Sequence, residues 1–154
     1  MAIYILAFVI GVIAGLRTMT APAAVSWAAR LGAIHLGGTW LAFLGNAYMP
    51  WIFTVAALGE LVTDQLPKTP SRKAPSQFGA RILSGALSGA AVGVAAGSWA
   101  GGLAFGVVGA VVGTLGGARV RSRLAARFHE DRPAAFLEDA VAIGGAVLTM
   151  ALLA

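Results

Sequence analysis

Six ionisable residues stand inside or at the edges of apolar runs: Arg17, Glu60, Asp64, Arg81, Glu138 and Asp139. A charge within a lipid-embedded segment costs about 2.5–3.5 kcal/mol on insertion scales, so each such residue is a functional candidate. Glu60 and Asp64 are four apart and share one helical face. They fall in the last turns of an apolar run, where the helix dipole is negative and disfavours carboxylates. A cation must compensate. Arg81, at the start of the next apolar run, sits at the right depth, and Lys68 and Arg72 are close in sequence. Arg17 reaches the pair only if its own segment is broken or tilted. Glu138 and Asp139 open the last apolar run, where the dipole favours anions. Adjacent residues point about 100° apart, so only one of these two faces a given partner.

The chemistry this set supports is a substrate or ion site. Glu60 and Asp64 would bind a cation or proton, Glu138 would complete the cluster, and Arg81 and Arg17 would balance charge or hold an anionic group. Asp139, Arg72, Thr18 and Thr20 are secondary candidates. Proton coupling would require burial to raise the pKa of one carboxylate. The plainer alternative is a structural polar network that pins helix ends, with the Thr18 and Thr20 hydroxyls bonded to their own backbone.

The elements that position these residues follow from composition. The 154-residue chain is 58% hydrophobic and 11% charged, with a mean hydropathy of +0.83. Soluble domains carry about 25% charged residues. The absence of cysteine excludes disulfides, thiolate metal sites and cysteine nucleophiles. His35 and His129 are too far apart in sequence to suggest a metal cluster, and neither metal nor cofactor is expected. The net charge of +5 does not point to nucleic acid, because the cations gather in two short links between apolar runs. Lys68, Arg72 and Lys73 lie in the first; Arg119, Arg121, Arg123 and Arg127 lie in the second. This is the pattern of cytoplasmic loops, whose partners are anionic lipid headgroups. The apolar N-terminus has no preceding Lys or Arg, which argues against a cleaved signal peptide.

The apolar runs predict an all-α, single-domain bundle over residues 1–154, with five spans at 3–33, 38–66, 78–97, 102–118 and 134–153. About 20 residues cross a bilayer core. Both basic links face the cytoplasm if two spans separate them, which places the N-terminus inside and the C-terminus outside. The first run is long for one helix. A break at Arg17–Pro22, giving two half-helices or a re-entrant element, is the alternative. Gly85, Gly89, Gly93 and Gly97 recur every fourth residue and would share one helix face; Gly11 and Gly15, Gly102 and Gly106, and Gly109, Gly113 and Gly117 repeat the spacing. Small residues so spaced let helices approach closely, within the fold or in a homo-oligomer. A faint repeat pairs Gly15-Leu16-Arg17 through Thr20 with Gly79-Ala80-Arg81 through Ser84, and Ala56–Glu60 with Ala134–Glu138.

The runs Ala14–Pro22, Gly59–Arg72 and Leu137–Gly145 together resemble a family of small bacterial multi-pass membrane proteins classed as a domain of unknown function. The most specific part is Glu-x-x-x-Asp-x-x-Pro, matched by Glu60, Asp64 and Pro67. The resemblance implies an integral protein of the bacterial inner membrane and brings no substrate. The expected function is therefore a transporter or channel for a small solute or ion. The alternatives are a membrane enzyme acting on a phosphate-bearing lipid, with arginines on phosphate and a carboxylate as base, and a structural or assembly subunit. No phosphate-binding loop, paired-histidine motif or nucleophile elbow is present, so a non-enzymatic role is favoured.

Overall fold

A computed structural model describes residues 1–64, 74–129 and 131–154. These residues form six α-helices: α1 (Ala2–Leu16), α2 (Thr20–Arg30), α3 (Met49–Thr63), α4 (Pro75–Val94), α5 (Trp99–Phe128) and α6 (Asp131–Ala151), with a short 3-10 turn at Ala42–Gly45. There is no strand among the described residues. Prolines set helix starts, because a first-turn proline gives up an N–H that lacks an intrahelical partner anyway. Pro75 opens α4, Pro50 follows the first residue of α3, and Pro22 lies in the first turn of α2. Ser98 caps α5 by accepting a hydrogen bond from the Gly101 amide.

α1, α4 and α5 form the tightly packed centre. A side chain on Gly89 would collide with the Gly106 backbone, 2.7 Å from its Cα, and one on Gly93 would lie 2.6 Å from the Gly102 Cα. Gly11 and Gly15 meet α5 in the same way at Gly106 and at Gly113 with Thr114. The α4–α5 and α1–α5 faces therefore touch backbone to backbone, as small residues permit. Gly97 is an exception to the four-glycine helical face. It follows the end of α4 with φ +74°, a left-handed conformation that glycine adopts at little cost.

Contacts fix the chain direction. Tyr4 stacks on Phe105, Gly11 meets Gly106 and Gly15 meets Thr114, so α1 runs parallel to α5. Arg121 near the end of α5 pairs with Asp131 and Glu138 at the start of α6, so these two are antiparallel. α1 and α6 are therefore antiparallel, and both termini lie at one end of the bundle. α2 turns back toward that end. Its start lies beside Glu60 near the end of α3, and Trp27 lies against Trp51 and Thr54 near the start of α3.

This corrects the expected map. The run 3–33 is not one span but two helices that reverse at Arg17–Met19. The break falls within Arg17–Pro22, the alternative to a single continuous span, while hydropathy measures apolar length and is blind to the direction in which the second helix runs. Both termini lie at one end of the bundle, where opposite ends were expected. The run 38–66 shortens to α3, and α5 continues unbroken through Arg119–Arg127, where a link was expected. Ala, Arg and Leu in that stretch are strong helix formers.

α5 and α6 are long and apolar enough to cross a membrane; α1 and α3 are apolar but shorter. Large apolar side chains face outward on all of these and on α4, among them Ile5, Val55, Leu83, Val108, Val141 and Leu148. Exposed apolar side chains on this many helices are what a covering of lipid or protein would bury.

Candidate functional site

The break between α1 and α2 is the centre of a polar cluster. Arg17 leaves the helix with extended backbone (φ −137°, ψ 112°), and its side chain is fully buried. One terminal nitrogen of Arg17 pairs with Asp64 at the end of α3, and the other with Asp139 on α6. A planar guanidinium is suited to bridging two carboxylates from different directions. Arg17 thereby ties three chain segments together at the point where the apolar run reverses.

Reversal leaves backbone groups unsatisfied at the end of α1 and the start of α2. Neighbouring helices supply the partners. The Thr18 and Met19 amides donate to the two carboxylate oxygens of Glu60, each at 2.8 Å. An anion there also meets the positive end of the α2 dipole. Arg81 of α4 donates to the carbonyls of Gly15 and Leu16 at 2.8 and 2.7 Å, at the negative end of α1. The Arg81 guanidinium also lies 3.7 Å from Glu60. Ser84, one turn along α4, donates to the Thr18 carbonyl, and the Thr114 hydroxyl of α5 lies 3.3 Å from the Gly15 carbonyl, with the Ala110 carbonyl of its own helix nearer at 2.8 Å. The break is thus a discontinuous helix whose freed backbone groups are capped by side chains of α3 and α4.

Removing the Glu60 carboxylate should expose the importance of this capping. Glu60→Ala leaves two sheltered amides without their acceptor, and is expected to destabilise the protein by about 1–3 kcal/mol. Chemical denaturation of the detergent-solubilised protein measures this, and an unchanged midpoint would contradict the capping role.

The expected residues divide into two groups. Arg17, Glu60, Asp64 and Arg81 converge, and Asp139 joins them. Glu138, expected to complete this cluster, instead faces Arg121 at 3.5 Å, next to the Arg121–Asp131 ion pair. The two adjacent acids diverge as helical geometry requires, and the one that turns inward is Asp139. Sequence alone could not choose between them, because the choice depends on the rotation of α6 about its axis. Arg121 is therefore bound to carboxylates, whereas it was expected to face headgroups. Thr18 contributes through its backbone, and Thr20 is buried in the first turn of α2. Lys68, Arg72 and Lys73 lie outside the described residues.

Ser84 and Thr114 were not among the expected site residues. A signal for Ser84 existed, since it is the hydroxyl three residues after Arg81 in the faint repeat. The repeat has no structural counterpart at this point: the chain breaks after Arg17 but continues as helix through Arg81. Among the described residues no group of three acidic or imidazole side chains is arranged to chelate a metal ion. Comparison with protein families, curated proteins and solved structures finds no match to this chain.

Proposed function

We propose that this chain is a multi-pass protein of the bacterial inner membrane that binds a proton at the α1–α2 break and passes it across the bilayer, alone or coupled to a small solute. The observation that carries this reading is a charge imbalance. Among the described residues, three carboxylates (Glu60, Asp64 and Asp139) surround two buried guanidiniums (Arg17 and Arg81). Among these described side chains full ionisation leaves one excess negative charge in a sheltered place, and the penalty for uncompensated buried charge favours uptake of one proton. Uptake of one proton by the cluster restores neutrality.

Buried hydroxyls support a route onward. Ser84 and Ser88 are one turn apart on α4, Ser26 lies further along α2, and Thr149 lies near the end of α6. All are buried, and they extend from the break toward the end that holds both termini. In this topology the basic extension of α5 faces the cytoplasm and both termini face outward.

A second reading is favoured by a different observation. Each of these carboxylates already has a cationic or amide partner, which is what a purely structural network would show. The lipid-enzyme alternative has less support, because Arg81 is committed to the Gly15 and Leu16 carbonyls.

Purified protein in liposomes carrying a pH-sensitive dye separates the first two readings. Wild type is expected to dissipate an imposed pH gradient, and Asp139→Asn to slow that dissipation at least about tenfold, the scale set by one unit of altered proton affinity. Equal rates for wild type, Asp139→Asn and empty liposomes would remove the proton role and leave the structural one.

A further inference from the structure

A groove opens on the side of the bundle between α1, α5 and α6, well away from the end that holds the termini. Its volume is about 340 Å³. Val12 and Leu16 form one wall, Val112, Val120 and Leu124 the second, and Val141 the third. The rim is exposed: Val112, Val120 and Val141 are each about half or more accessible. The floor includes Gly116, where an added side chain would meet nothing within 4 Å. The groove runs along α5 from Val112 to Leu124, about 18 Å at 1.5 Å per residue.

Charge gathers at one end only. Arg121 and Glu138 close the groove there, as the ion pair described above. Arg123 and Arg127 follow on the exposed surface of the same helix. At 100° per residue they lie within about 60° of Val120, on the groove side of α5. The result is an apolar slot with two accessible guanidiniums at its exit.

We infer that this groove holds one acyl chain of an anionic glycerophospholipid, with the lipid phosphate at Arg123 and Arg127. The length, apolar walls and one-ended positive charge match a chain with an anionic head. A second copy of the protein fits less well. Two copies related by an axis along the membrane normal would bring their Arg123 and Arg127 side chains to the same level and toward each other, which like charge opposes. The proposed phosphate contacts, Arg123 and Arg127, and the slot residue Gly116 are not among the residues of the Arg17 cluster, so their variants test this site without altering the proton reading.

The test is native mass spectrometry of the 154-residue chain, delipidated in detergent and titrated with dioleoyl-phosphatidylglycerol or dioleoyl-phosphatidylcholine. Wild type is expected to bind one phosphatidylglycerol in preference to phosphatidylcholine. Gly116→Leu fills the slot from a position with open space, and is expected to lose the bound lipid while remaining folded. The Arg123→Ala, Arg127→Ala double variant is expected to lose the anionic preference, by about fivefold per arginine. It also keeps the test decisive if Gly116→Leu fails to fold. Equal binding of the two lipids by wild type, or unchanged binding in the double variant, would overturn the proposal. A wild-type dimer that Gly116→Leu dissociates would overturn it too, by showing that the groove is an interface between copies.

Discussion

Arg17→Met is expected to be the most destabilising single substitution at the site, lowering stability by about 3–5 kcal/mol, the range for breaking one partner out of a buried ion pair. The guanidinium is fully buried and bonded to Asp64 and Asp139 at once. Its loss leaves two sheltered carboxylates facing each other with nothing between them. The informative companion is a triple variant, Arg17→Met with Asp64→Leu and Asp139→Leu. Replacing a whole buried charge network with apolar groups of similar size is often neutral or stabilising. The triple variant should therefore recover most of the lost stability. Thermal unfolding in detergent measures both. A single variant as stable as wild type would mean that Arg17 does not hold this junction together. The triple variant also bears on the proposed function: if wild type moves protons, a folded variant that does not would show that the charges are retained for activity, whereas full activity would reduce them to packing.

The second large effect is steric. Gly106 stands where α1, α4 and α5 meet, and a Cβ built on it would fall on the Gly85 carbonyl oxygen and within 2.9 Å of the Gly89 Cα. These are backbone atoms of a neighbouring helix and cannot rotate away. Gly106→Leu must push α4 and α5 apart, and is expected to cost at least about 1–3 kcal/mol, the usual range for overpacking. The bundle depends on this close approach, so loss of the folded state is the expected outcome. Gly144→Ala is the control, because a Cβ there meets nothing within 4 Å. It should change stability little, or raise it by up to about 1 kcal/mol through helix propensity. Size-exclusion profiles and thermal melts of the two variants check this. Similar behaviour of both would show that the glycine spacing has no packing role.

Side-chain type and spacing on their own determined that the chain is helical, and pointed to helices meeting through glycine faces and to a cluster of Glu60, Asp64, Arg81 and Glu138 that Arg17 would join only if its own segment broke. Each of these follows from short-range rules: apolar run length, a four-residue repeat, and the need of a sheltered charge for an opposite one. Tertiary structure decided the rest. It turned the first apolar run back on itself at Arg17–Met19, because Glu60 and Arg81 from distant helices satisfy the backbone groups that such a reversal exposes. It also chose Asp139 over Glu138, and assigned Arg121 to carboxylates. Those choices depend on how each helix is rotated and in which direction it runs, and both are set by contacts between residues far apart in the chain.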